Sequence, residues 1–363
     1  MAPGFCWRPV PVGLVVHCRT PAPAVGYRDP VNTSTALVLG GTQFVGRHLT
    51  QALLDAGWAV TLFSRGLTNP ELFPQAHRLT GNRQSDVTAL TGGRWDAVFD
   101  VSAYHPDDVS RVADALGDDV GQYVLVSSVS AYADVSRPGL TEDAPLAGIE
   151  GPVPAEYSPA LYGPLKALCE SVAAERFTTT TMIRPTVVDG PFDTTERLTS
   201  WIDRLAAPGP HLVPPDTGTA FQYIDARDLA AFMVQVATDG TTGAFTVAST
   251  PTTFQQVLDD IERVVGPVGT FTLTDQQLAE EQVQPWVDLP LWLPADTPGR
   301  AGFFALDPAR ARAAGLPVRP FVDTVQDTHL WSSSRTPAEG GPGPRHGLTL
   351  AREAQLAARY ARG

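Results

Sequence analysis

Tyr162 and Lys166 are the residues whose types and spacing speak most directly of chemistry. On a helix, a separation of four puts both side chains on one face. A free phenol titrates at about 10 and exchanges protons poorly at neutral pH. A neighbouring ammonium stabilises the phenolate, so Tyr162 beside Lys166 would serve as acid or base in interconverting a carbonyl and an alcohol. Upstream lie Ser127, Ser128 and Ser130, behind the apolar stretch Tyr123–Val126. A serine there can hydrogen-bond the reacting carbonyl oxygen; Ser128 is the first choice and Ser130 the alternate. Pro164 falls inside the Tyr162–Lys166 pair, which suits a helix only if Tyr162 lies in its first turn.

Such a proton transfer needs a hydride carrier, and a second motif points to one. Gly40-Gly41-Thr42-Gln43-Phe44-Val45-Gly46 separates the apolar run Ala36–Leu39 from a helical pattern. Gly40 permits a tight turn and Gly46 a close helix–sheet approach, while backbone N–H groups and the helix N-terminus favour a pyrophosphate. Gly40, Thr42, Gln43, Phe44, Val45 and Gly46 are therefore expected to line a dinucleotide. Gln43 stands where the usual pattern has its middle glycine. After the second strand, an Asp or Glu would take the ribose hydroxyls and select NAD. This chain has Ser64-Arg65 instead. A guanidinium forks onto a 2′-phosphate, so NADP is the expected cofactor and NAD the alternative.

The elements that must position these residues read as alternating strands and helices. Ala36–Leu39, Val60–Phe63, Trp95–Asp100, Tyr123–Val126 and Thr181–Arg184 are strand-like. Leu49, Ala52, Leu53 and Ala56, before Gly57, and the amphipathic Val109–Leu116 are helical. This pattern predicts an α/β fold: a Rossmann-type doubly wound parallel sheet with a smaller C-terminal α+β substrate lobe. In the later half a strand is expected at Phe221–Ile224, with Asp228 and Thr253 capping helices. The expected organisation is a disordered leader at 1–33, a dinucleotide-binding domain at 34–184 and a mainly substrate-binding lobe at 185–331. A Ser/Pro/Gly-rich linker at 332–347 then leads to a C-terminal helix at 348–363, with Leu350, Ala354, Leu356 and Ala357 on its apolar side.

Of 363 residues, 43% are hydrophobic and 18% charged, a globular composition. The formal net charge of −13 repels phosphate backbones, so nucleic acid is not an expected partner. No apolar run approaches the roughly 18–20 residues of a membrane span. Cys6, Cys18 and Cys169 form no CxxC pair and no zinc-like spacing, which argues for no metal and for a reducing, cytoplasmic setting.

With these residues in hand, the chain resembles the extended short-chain dehydrogenase/reductase superfamily, and more narrowly the NAD-dependent epimerase/dehydratase family, over roughly residues 35 to 330. The stretches that carry it are Gly40–Gly46, Asp100–Tyr104, Tyr123–Tyr132, Tyr162–Lys166, Ile183–Pro191 and Phe221–Ala230. The glycine loop and the run from Leu62 to Phe73 are similar to an actinobacterial reductase-like branch. The resemblance implies Ser128, Tyr162 and Lys166 as the catalytic set, and Gly40, Gly46 and Arg65 on the cofactor. It implies that Val101–Tyr104, with Ser102 and Ala103, border the nicotinamide ribose, and that Pro185 and Thr186 lie near nicotinamide or substrate. Asn82 stands where the family often has an Asp contacting adenine. Ser128 is followed by Val129-Ser130 and not by an acidic pair, which argues against 4,6-dehydration. A homodimer paired through helices around Tyr162 is a further implication.

The expected function is hydride transfer to or from a small metabolite with Tyr162 as acid/base. The alternative is a nucleotide-sugar epimerase with tightly held NAD(P), and a non-catalytic scaffold ranks last. His105 reads as a loop-capping residue, Trp201 as packing and Cys169 as a small core residue. His211, Asp193, Glu196 and Arg197 are open between substrate contact and structure.

Overall fold

In the computed structural model, residues 33–154, 158–335 and 346–360 are described. The chain begins with β1 (Thr35–Leu39), α1 (Phe44–Asp55) and β2 (Ala59–Ser64), then β3 (His77–Thr80), β4 (Trp95–Asp100), α2 (Pro106–Leu116) and β5 (Val120–Val126). Next come α3 (Tyr162–Arg176), β6 (Thr180–Pro185), β7 (Val187–Asp189), α4 (Arg197–Leu205), β8 (Pro210–Leu212), β9 (Ala220–Phe221) and β10 (Tyr223–Asp225). They are followed by α5 (Ala226–Thr238), β11 (Gly243–Val247), β12 (Thr252–Thr253), α6 (Phe254–Val265) and β13 (Gly269–Phe271). The order closes with α7 (Asp275–Glu280), α8 (Arg300–Phe303), α9 (Ala309–Ala313), α10 (Phe321–Ser333) and α11 (Leu350–Tyr360).

Seven strands form one parallel sheet in the order β11-β6-β5-β4-β1-β2-β3. Both faces are covered, which is why β1 reads as an unbroken apolar run and not as an alternation. On one face Val38, Leu49, Leu53, Phe232 and Met233 join α1 and α5 to the sheet. On the other, Leu37, Val98, Val112, Tyr123 and Cys169 join α2 and α3. Strand order reverses between β1 and β4, so a crevice opens at the carboxyl ends of these strands, where α/β sheets take ligands.

A second core gathers beside the sheet around Trp201, Phe221, Phe254 and Phe304. The rings of Trp201 and Phe254 meet edge to face, 5.4 Å apart, and each buried ring removes apolar surface worth roughly 1.5–3 kcal/mol. Helix α11 docks here through Glu353, which is 1% exposed. It accepts from Arg204 at 2.8 Å and the Leu212 amide at 2.9 Å, and it lies 3.0 Å from His211 Nδ1. His211 Nε2 faces the Ala207 carbonyl at 3.0 Å.

Several local expectations need correction. The strand expected at Phe221–Ile224 is two short strands, β9 and β10, because Gln222 turns inward to bond Ser249 and Leu306. The cap of α5 is Asp225, which accepts from the Arg227 amide, and Asp228 lies in the first turn. Thr253 does cap α6. Helix α10 runs on to Ser333, past the expected start of the linker. In α11 the inward side is Glu353, Leu356 and Ala357, whereas Leu350 and Ala354 are exposed, since the buried carboxylate fixes the helix rotation. The expected leader, with Cys6 and Cys18, and most of the linker fall outside the described residues.

Candidate active site and cofactor cleft

The glycine loop is built by close contacts that forbid a side chain. Gly40 has φ +95°, in the left-handed region that favours glycine. A Cβ on Gly46 would sit 2.0 Å from the Gly40 carbonyl oxygen, so only glycine lets α1 start against the turn. The Thr50 hydroxyl lies 2.9 Å from the Gly41 oxygen and 2.8 Å from the Gly46 oxygen, bracing the loop from inside the helix. Gln43 takes the extended N-cap position without a side-chain cap bond, and Phe44 is held at φ +37°. The segment after β2 is tied down on top: Thr42 Oγ1 donates to the Thr68 carbonyl and Asn69 Nδ2 to the Thr42 carbonyl, both at 2.8 Å.

Below this loop lies a cavity of about 500 Å³ along the strand ends. Gly40, Thr42, Gln43, Phe44, Val45, Gly46, Ser64, Arg65, Asn82 and Ser102 all line it. Ser128, Tyr162, Lys166, Ala103 and Pro185 do not line this cavity; they belong to the segments that follow β4 and β5 or, for Pro185, to the end of β6. Tyr104 links the two regions: it lines the cavity and its ring centroid is 6.3 Å from that of Tyr162. The glycine cradle and the helix N-terminus beside this cavity fit a dinucleotide pyrophosphate.

Tyr162 is the first residue of α3, so Pro164 falls where its missing N–H costs nothing. Gly163 is as confined as Gly46, since a Cβ would lie 2.0 Å from the Ser130 oxygen. That contact sets α3 against the 3₁₀ turn Val129–Ala131, whose N-cap is Ser128. Ser128 Oγ accepts from the Ser130 amide at 3.1 Å. The neighbouring Ser127 hydroxyl is buried without a hydrogen-bond partner among the described residues. Lys166 is buried, and its Nζ donates to the Ala103 carbonyl at 2.7 Å and the Val126 carbonyl at 2.8 Å. Burial lowers the Lys166 ammonium to about 8, with Cys169 and Asp100 opposing and Arg83 assisting.

Two sets of buried ionisable groups escaped the sequence reading. Arg83 grips Asp100 through both carboxylate oxygens, at 2.6 and 2.7 Å, and donates to Ser102 Oγ at 2.9 Å. Ser102 Oγ in turn donates to the Leu39 carbonyl at 3.0 Å, next to Gly40. Tyr123 donates its hydroxyl to Asp100 at 2.6 Å. Burial would push the Asp100 carboxyl up, but the Arg83 guanidinium outweighs it and holds the group below the usual carboxylate range. The second set surrounds Asp189, at the end of β7. It is fully enclosed, and neither oxygen has a hydrogen-bond partner among the described residues. Burial, then the charge of Asp193, pushes it well above an ordinary aspartate. An Asp at a strand end is the only signal the sequence gives for either.

His105 is the N-cap of α2, its Nδ1 accepting from the Asp107 amide. Trp201 is fully buried with its indole N–H on the Pro290 carbonyl. Cys169 is a buried core residue whose thiol burial pushes up to about 12. His211 is enclosed with Glu353, Asp193 accepts from Thr195, and Glu196 pairs with Arg335. Arg197 stacks over Trp286, 5.2 Å from the ring centroid. Among the described residues, no cluster of His, Cys, Asp and Glu suits a metal ion, and no helix is long and apolar enough to cross a membrane.

The sequence matches the NAD dependent epimerase/dehydratase family over residues 36–248, from β1 through β11, and the chain belongs to that family. It is 27% identical over 223 residues to the chloroplast stem-loop binding protein of 41 kDa b of Arabidopsis thaliana, covering 55% of this chain and 54% of that protein. The chain thus spans about half the length of the curated relative it matches. Among solved structures it is similar to a Burkholderia cenocepacia protein, with a TM-score of 0.65 at 20% identity over 83% of this chain and 99% of that one. It is also similar to the UDP-glucuronic acid 4-epimerase of Bacillus cereus in complex with NAD, with a TM-score of 0.60 at 15% identity over 82% of this chain and 98% of that one. At these identities the likeness speaks of the fold.

Proposed function

We propose that this chain is a nicotinamide-dependent oxidoreductase that interconverts a carbonyl and an alcohol on a small metabolite, using NADP(H). The observation that carries the reading is Lys166, whose buried Nζ is fixed by the Ala103 and Val126 carbonyls one helical turn below Tyr162. A buried ammonium beside a phenol lowers the cost of the phenolate. Tyr162 Oη then gives a proton to the carbonyl oxygen in reduction and takes it back in oxidation, while Ser128 Oγ donates a hydrogen bond to the same oxygen. The bound cofactor supplies or accepts the hydride. Gly40 and Gly46 leave room for its pyrophosphate, and Arg65 pairs with the 2′-phosphate. The testing experiment is a calorimetric titration of purified protein with NADPH and NADH: selective NADPH binding supports the reading, and binding of neither by nucleotide-free protein defeats it.

Family membership favours a second reading, a nucleotide-sugar epimerase that never releases its cofactor. Purified protein carrying stoichiometric NAD(H) would favour it over exchangeable NADPH. The name of the Arabidopsis relative brings stem-loop RNA into view as a ligand. Against that, 39 acidic residues face 26 basic ones here, and phosphate binding draws on clustered cations. A gel-shift titration with a hairpin RNA distinguishes the two.

A further inference from the structure

A second arginine faces the cleft beyond Arg65. Arg83 follows β3 and lines the same cavity, with 13% of its side chain exposed. Two edges of its guanidinium are committed: Nη1 to Asp100 and Ser102, Nη2 to the second Asp100 oxygen. Asp100 is fully enclosed and also held by Tyr123, so the carboxylate cannot swing away. A forked pair on such an anchor fixes the plane of the guanidinium. It also balances its charge, which makes Arg83 a poor phosphate ligand beside the exposed Arg65. An immobile, charge-balanced guanidinium suits instead a flat aromatic ligand, by stacking and cation–π attraction.

The sheet places this wall at the adenosine end. β2 and β3 are paired with Ser64 beside Thr80, so Ser64-Arg65 and Gly81–Arg83 emerge next to each other. Tyr162 and Lys166 belong to the opposite end, with β5 and β6. A dinucleotide whose ribose phosphate meets Arg65 would carry its base along Gly81–Arg83. Asn82, the other polar side chain there, uses its Oδ1 on the Gln84 amide. We propose that Arg83 is a positioning residue for the purine base of the cofactor, holding the ring against the guanidinium plane that Asp100 fixes. The proposal rests on the nicotinamide-dinucleotide reading above.

The test is titration calorimetry of 5′-ADP and 2′,5′-ADP on three proteins, with circular dichroism melting of each. They are the wild type, Arg83→Lys and the double variant Arg83→Met with Asp100→Asn. Lysine keeps a cation opposite Asp100 but has no plane. The double variant removes both charges, so neither is left buried alone, and keeps an acceptor for Tyr123. The expected result is a loss of about ten-fold for both nucleotides in each folded variant, with their ratio unchanged. Wild-type affinity in either folded variant overturns the proposal. A loss confined to 2′,5′-ADP also overturns it, by making Arg83 a phosphate contact. Failure of the wild type to bind either nucleotide overturns the cofactor reading itself and is told apart by that.

Discussion

Lys166 Nζ lies 4.9 Å from the ring centroid of Tyr104 and 6.0 Å from that of Tyr162, so one buried ammonium serves two aromatic rings. Tyr104 belongs to the cleft and Tyr162 to the first turn of α3. The lysine therefore joins the place where a nucleotide would lie to the place where a proton would move.

Removal of the Tyr162 hydroxyl should separate those two roles. Tyr162→Phe keeps the ring, its contact with Tyr104 and the start of α3. Turnover is expected to fall by a factor of about 10²–10⁴, with nucleotide affinity within about two-fold of wild type. Steady-state rates and calorimetry on the same preparation check both halves; substantial residual turnover removes Tyr162 from the mechanism.

The pH profile should carry the mark of Lys166. Its ammonium titrates at about 8, below an ordinary lysine, because burial disfavours the charge. On the proposed mechanism the support for the Tyr162 phenolate would disappear above that pH, so carbonyl reduction should show an alkaline limb with its midpoint at about 8. Stability moves the other way. Between about 8 and the ordinary lysine range the unfolded chain holds a proton that the folded chain has lost, so folding gains stability as pH rises. Lys166→Met should abolish that gain, as chemical denaturation at pH 8 and pH 10 would reveal.

Gly46→Ala tests the cradle. The added methyl would meet the Gly40 oxygen at 2.0 Å, and backbone on both sides leaves no flexible side chain to yield. Overpacking of this kind costs about 1–3 kcal/mol, and nucleotide binding should vanish before the fold does. A variant that melts and binds like wild type would show that the α1–loop contact is looser than described.

Asp189→Asn should stabilise the protein, and more so at higher pH. The folded carboxyl keeps its proton well above the ordinary range, whereas the unfolded one ionises at about 4. Wild-type stability therefore drains away as pH rises above about 4, and the amide is exempt from that loss. A gain of about 1–3 kcal/mol at pH 7 and little difference at pH 4 is expected from melting curves. A destabilised variant at pH 7 would mean that Asp189 is charged and paired.

What could be read in the sequence was whatever repeats locally. The apolar runs of β1, β4 and β6, the helix carrying Leu49 and Leu53, and the Thr253 cap all announce themselves through neighbours a few residues away. β3 did not, because His77–Thr80 is a sheet edge of mixed polarity. The break at Gln222 and the rotation of α11 also stayed hidden, since each is set by a buried polar group whose partners lie tens of residues distant. The candidate site divides the same way. The glycine loop and the Tyr162–Lys166 spacing are short-range patterns. The Arg83–Asp100 pair joins the loop after β3 to the end of β4, and nothing in either neighbourhood names the other.

The docking of α11 gives the end of the chain an unusual standing. Glu353 is the anion for a pocket already holding Arg204, with His211 turned towards it. Trimming the chain behind α10 would therefore work as a charge mutation deep in the second core, stranding a guanidinium far from water. The last helix behaves as a missing electrode put back in its socket, and its loss would be felt around Trp201 and Leu212 sooner than at the glycine loop.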